Sequence, residues 1–257
     1  MNALRLSKYI HELEFTADTV LPPFTGNTIR GAIGSALNGL GSTAYDNVFK
    51  ADNVDSIPNP YVISVPYPSK GQYKKGDTLP FSITLFGDAC SYAADLTSAA
   101  RRMCNGKLAN CTYNGNELIY DKVWSDNGAE SIPDRGAISI VFLTPAEIFN
   151  EKEPAVEVSF NRFIDSLFGR ICDIINNYTG GEFILPYALI ARRPLVYAEY
   201  NLKTVKFQTS GQPVDSIMGT VNYFGDITRY LPYIDLGSQI HIGKKTTRAC
   251  GEYRFEI

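Results

Sequence analysis

Apolar and polar positions alternate through the first segment, residues 3 to 18, where Leu4 and Leu6 are followed by Tyr9, Leu13 and Phe15. The alternation changes parity once, which predicts a long strand with a bulge or bend. Beyond Pro22 and Pro23 the period becomes helical. In FTGNTIRGAIGSALNGL, Ile29, Ile33, Leu37 and Leu40 share one side, while Gly31, Gly34 and Ser35 keep part of the surface small enough to approach a sheet or a nucleic-acid backbone closely. Residues 41 to 60 hold turn formers without a sustained period and read as a surface loop. Strands are predicted at 61–66, 78–86 and 111–124, and a helix at 88–104; the Asn114-Gly115 pair inside the last strand is a hairpin signal.

The polar stretch 128–136, with Pro133 and Gly136, is the best linker candidate, and it divides the chain into domains at 1–130 and 137–257. The second half repeats the order of elements. A strand at 137–145 precedes an amphipathic helix whose stripe comprises Phe160, Phe163, Ile164, Leu167, Phe168, Ile171, Ile174 and Ile175. Strands follow at 195–209 and 216–224, then a short helix over GDITRYL that Pro232 is expected to stop, then strand-like IHIG and EYRFEI. Two β-α-β halves of this size predict an α+β protein of two tandem ferredoxin-like (βαββαβ) domains.

The 257 residues are 44% hydrophobic, enough for one large or two modest cores, and a formal net charge of −3 gives no global attraction to polyanions. Charge is uneven, however. Residues 192 to 257 carry nine Lys and Arg (including Arg192 and Arg193) against six Asp and Glu, and residues 1 to 191 carry 15 against 21. A basic C-terminal third on an acidic chain fits a local phosphate track. Five cysteines, none at a C-x-x-C spacing, indicate neither a disulfide framework nor a zinc ribbon. No signal peptide or membrane-length apolar run is present, so a soluble cytoplasmic protein with no membrane partner is expected. Walker, nucleophile-elbow, H-E-x-x-H and dinucleotide motifs are absent, and no metal or other cofactor is expected.

Two motifs together resemble the CRISPR repeat-processing endoribonucleases of the RAMP superfamily, the sixth Cas protein family. The first is the opening of the first helix, Phe24, Thr25, Gly26, Arg30 and Gly31; the second is a C-terminal block with Gly225, Leu231, Pro232, Gly237, His241, Gly243 and Lys244. Where relatives place glycines before the last strand, this chain has Lys245 and Ala249, with Gly251 at the end; where many relatives carry a histidine after the first helix, it has Tyr45 and Lys50. The resemblance implies two RRM-like domains with a glycine-containing C-terminal loop, and as partners the stem-loop of CRISPR repeat RNA, the mature crRNA and other effector subunits. It also implies metal-independent cleavage, in which the 2′-hydroxyl attacks the scissile phosphate and leaves a 2′,3′-cyclic phosphate.

Such a reaction needs a base, an acid for the leaving 5′-oxygen and a cation for the phosphorane. His11 sits mid-strand and reads as structural or solvated; His241, read as alternating away from Ile240 and Ile242 beside Lys244 and Lys245, is the better acid–base candidate. His241, Lys244 and Tyr45 are the candidate catalytic residues. Arg30, Lys245, Arg248, Arg229, Lys74 and Lys75 are the candidate RNA contacts, the last two within YPSKGQYKKGD, where Tyr67, Lys70 and Tyr73 interleave rings and cations as a stacking loop would. A non-catalytic RAMP subunit that holds guide RNA remains the alternative, because the family histidine after the first helix is missing.

Overall fold

The parity change in the first strand is present in the computed structural model. In β1 (Ala3–Phe15), Leu4 and Leu6 are buried on even positions, and His11, Leu13 and Phe15 on odd ones. No bulge interrupts its ladder with the strand Thr78–Phe86, which runs unbroken from Leu6–Phe86 to Glu14–Thr78. Instead both faces are covered at the changeover, where Leu6 and Ser7 are each buried. The structure describes residues 2–50, 57–106, 108–126, 136–150, 153–154, 157–185, 189, 194–208 and 213–257.

The chain divides into two units, Arg5–Val123 with Thr247–Ala249, and Met1–Leu4 with Trp124–Thr246 and Cys250–Ile257. In the first, β1 is followed by α1 (Gly26–Leu40), β2 (Tyr61–Ser64), β3 (Thr78–Phe86), α2 (Ala93–Arg102) and β4 (Cys111–Ser125), with sheet order β2-β3-β1-β4. In the second, β5 (Ala137–Ala146), α3 (Phe160–Tyr178), β6 (Tyr197–Gln208), β7 (Pro213–Phe224), α4 (Leu231–Ile240) and β8 (Tyr253–Glu256) follow in the same pattern, with order β6-β7-β5-β8. Each is a βαββαβ sheet with its central strands first and third in sequence, the ferredoxin-like arrangement expected.

Helix α3 starts because Ser159 Oγ accepts the Arg162 N–H, and its whole predicted apolar stripe is buried. In the first unit, Gly34 lets the Phe49 ring lie against α1, and that ring stacks on Tyr61 at 4.5 Å. The smallness of α1 thus serves packing at this point. The segment 45–49, expected as loop, forms a wide helical turn (Tyr45–Phe49), which Val48 and Phe49 anchor in the core.

Three sequence expectations are corrected. Asn114-Gly115 makes no hairpin, since β4 runs straight through it; only three strand residues precede the pair, too few for a partner strand, and Asn114 Nδ2 instead donates across to Glu12 and Glu14 on β1. Pro232 does not stop a helix but opens α4, in the first turn where its missing N–H is no loss. IHIG is not a strand: Ile240 ends α4 and His241 is its C-cap. The linker candidate falls at 128–135 outside the described residues, as do Arg192 and Arg193.

His11 is buried, stacked on Phe81 at 5.0 Å, with Nδ1 3.0 Å from the Tyr113 hydroxyl. Burial pushes its pKa down to about 4 from 6.5. The unfolded chain therefore takes up a proton that the fold refuses, so this contribution to stability is complete above the unfolded value and is lost as pH falls toward the folded one. Its size is at most about 3 kcal/mol. Urea unfolding at neutral pH and at about pH 5 should show this loss, and His11→Phe should flatten it; an unchanged pH slope in the variant would contradict the assignment.

Candidate functional site

The C-terminal block forms a loop between α4 and β8 that bends repeatedly into the left-handed region. His241, Gly243, Lys245, Ala249 and Gly251 all have positive φ. His241, at φ 61° and ψ 172°, occupies backbone space that is otherwise almost confined to glycine, at a cost on the order of 1–3 kcal/mol. Such a conformation persists only where its surroundings fix it.

Several contacts do so. The Ile242 N–H donates to the Gly251 carbonyl and the Gly251 N–H to the Pro145 carbonyl, both at 2.9 Å, which tie the two ends of the loop to each other and to β5. His241 Nδ1 lies 3.2 Å from the Cys250 carbonyl. A carbonyl only accepts, so Nδ1 carries the proton. The Ile240 carbonyl, at the end of α4, accepts from Arg170 Nε at 2.8 Å. Arg170 is buried, which lowers its pKa to about 10, with the Asp173 charge acting against that shift, while burial raises the Asp173 carboxyl. Lys245 Nζ pairs at 2.9 Å with the buried Glu147 carboxylate, which follows β5.

His241 is 2% exposed. Its ring is part of the scaffold, and the expected outward alternation fails because the segment is a helix end. Lys244 is exposed, and Lys245 pairs with Glu147. Arg229 is exposed in the turn before α4 and pairs with Asp226 at 3.2 Å. These four candidates, His241, Lys244, Lys245 and Arg229, lie in the second unit.

Thr247–Ala249 pack with the first unit. The Arg248 carbonyl abuts Gly26 at the start of α1, leaving no room for a Cβ there, which explains the glycine of the first motif. Arg30, one turn along α1, lies over the Phe49 ring at 5.9 Å. The first turn of α1 holds no acidic residue and its N-cap Thr25 makes no side-chain cap, so the positive helix end takes no counter-charge from its own first turn. Tyr45 begins the wide turn after α1 and is half-buried; Lys50 at its end pairs with Asp46. Just before it, Ser42 Oγ donates to Asp95 at 2.6 Å, fixing the path of the chain out of α1.

Rings in YPSKGQYKKGD are used in packing: Tyr73 is buried and stacked on Phe15 at 4.4 Å, and Tyr67 meets Phe24 edge-on. Lys74 pairs with Asp18 at 2.7 Å and Lys70 with Asp77 at 3.5 Å; the Lys75 N–H also donates to Asp18. Glu147 and Arg170 were missed by the sequence analysis. Arg170 had a signal, because a basic residue three after Leu167 and four before Ile174 falls on the apolar stripe.

Residues 140–253 match the family model described as CRISPR-associated endoribonuclease Cas6, and residues 4–139 match one described as an N-terminal domain. No curated protein sequence matches the chain. Among solved structures it is similar to a product complex of Thermus thermophilus Cas6, with TM-score 0.68 and 15% identity over 98% of this chain and 99% of that one. A second Cas6 product complex gives 0.62 and 16% over 98% and 100%, and a RAMP protein described as binding different RNA substrates gives 0.55 and 12% over 98% and 100%. At these identities the likeness establishes the tandem ferredoxin-like fold. No described helix is long and apolar enough to cross a membrane.

The loop geometry makes a stability test specific. His241→Ala loses the ring and its hydrogen bond while keeping the strained backbone; His241→Gly loses the same contacts but relieves the strain. The glycine variant should therefore be more stable than the alanine variant, by about 1 kcal/mol. Thermal melts showing alanine equal to or above glycine would contradict the strain assignment.

Proposed function

We propose that the chain, whose residues 140–253 match the family model of the CRISPR-associated endoribonuclease Cas6, binds the repeat stem-loop of precursor CRISPR RNA and cleaves it without a metal ion. The observation that carries the reading is the strained C-terminal loop, whose backbone is fixed from within while Lys244 is exposed. A loop held in shape before its ligand arrives places charge against phosphate without ordering cost.

In this reading the internal 2′-hydroxyl gives its proton to solvent water as it attacks the adjacent phosphorus, the P–O5′ bond breaks and the 5′-oxygen leaves with a proton, and the upstream fragment keeps a 2′,3′-cyclic phosphate. Lys244 supplies positive charge to the RNA backbone, and Arg248 and Arg30, both of the first unit, supply it to the RNA backbone and to the phosphorane. The Tyr45 hydroxyl, in the turn where the resemblance places a catalytic residue, supplies the proton to the leaving oxygen. His241 acts through the loop, as a positioning residue, because its ring is enclosed and hydrogen-bonded to backbone. The burial of both histidines, His11 and His241, also favours one alternative, a RAMP subunit that holds RNA without cutting it.

Labelled repeat RNA incubated with the protein in EDTA separates the two readings. Cleavage should proceed in chelator and stop when the scissile nucleotide is 2′-deoxy; binding without cutting of the unmodified RNA would select the alternative. Reversal of Lys244 and Arg248 should weaken binding and lower the salt slope by about one per lost phosphate contact. Lys245 is left intact, since a second carboxylate beside buried Glu147 would disrupt the loop. His241→Gly should retain the wild-type pH–rate profile at reduced rate. Loss of a neutral-pH limb, with a fall of roughly 10²-fold or more, would make His241 the acid or base.

A further inference from the structure

Among the described residues, one strand of the second unit has an unpaired edge. β6 is there the outermost strand of its sheet, paired only with β7, and that register runs unbroken for 12 residues from Tyr197–Phe224 to Gln208–Pro213. Natural sheets blunt such edges with prolines, bulges, short strands or lysines. β6 carries Lys203 and Lys206 but no proline, and its ladder with β7 has no bulge.

Its charges are arranged unusually. Lys206 faces Asp215 on β7 and pairs with it at 3.7 Å, but Glu199 faces Asn222 and Lys203 faces Met218. Among the described residues neither Glu199 nor Lys203 makes an ion pair, and both are exposed. Beside them lies apolar surface: Leu195 is 99% exposed, Tyr197 is 65% exposed with its ring 6.0 Å from Phe224, and Tyr200 is also exposed.

We propose that β6 pairs antiparallel with β6 of a second copy of this chain, about a two-fold axis through Asn201. In that register Glu199 of each copy faces Lys203 of the other, Tyr197 faces Val205 and Tyr200 faces Leu202. Moving the axis one residue destroys the match: centred on Tyr200, Glu199 faces Asn201, and centred on Leu202 it faces Val205. The sequence of the edge is complementary to itself in one register, and because the same patch serves both copies the contact closes as a dimer.

Sedimentation equilibrium of the full chain without RNA tests this. The wild type should be a concentration-dependent dimer, Glu199→Lys and Lys203→Glu should each shift it to monomer, and the double exchange should restore the dimer. Asn201→Cys should form an intermolecular disulfide under oxidation much faster than Lys203→Cys, since only the former faces itself. A wild type that stays monomeric, single reversals that leave the dimer intact, a double exchange that stays monomeric, or equal cross-linking at both positions would each overturn the proposal. Reversals that change only RNA affinity in a monomeric protein would assign the edge to RNA instead.

Discussion

The C-terminal loop depends on two backbone hydrogen bonds, from Ile242 to Gly251 and from Gly251 to Pro145. They require Gly251 at positive φ with the Ile242 carbonyl packed where a Cβ would stand. With them in place, β8 enters the sheet beside β5 in register, Tyr253 opposite Phe142. The Tyr253 hydroxyl then donates to the Ile234 carbonyl of α4 at 2.7 Å, under the helix whose end the loop continues. Sheet, helix and loop of the second unit are thus one connected arrangement.

Strain and restraint oppose each other within this arrangement. Positive φ at His241, Lys245 and Ala249 costs free energy that glycine would avoid, and the backbone ties, the His241–Cys250 contact and the Glu147–Lys245 pair offset it. A buried ion pair adds little net stability, but breaking it is costly, so its effect is to fix one path for the loop. Lys245 is used in this way, while Lys244 is exposed. Two adjacent lysines therefore do different work, a distinction that their side-chain chemistry alone does not make.

Much of the architecture could be read from periodicity. The stripe of α3 and the parity change of β1 predicted both elements because each is set by local burial, and the repeated β-α-β order predicted the paired sheets. Errors fell where tertiary context decides. IHIG has strand-like alternation, yet Ile240 and Ile242 are buried on either side of a helix end, because His241 reverses the chain with a dihedral that alternation does not encode. Asn114-Gly115 has turn chemistry but lies in a strand long enough to override it. The candidate site was legible as a motif, whereas the roles within it were not: the partner of Lys245 is Glu147, nearly a hundred residues earlier, and the residue that anchors the end of α4 is Arg170 on another helix.

A loop formed before RNA binds keeps its backbone hydrogen bonds in the free protein. Hydrogen exchange across residues 241–251, in the free protein and with repeat RNA, tests this most directly. The Ile242 and Gly251 amides should exchange slowly in the free protein and change little with RNA, while the exposed segment around Lys244 becomes protected. Fast exchange at Ile242 and Gly251 that slows only when RNA is added would contradict it.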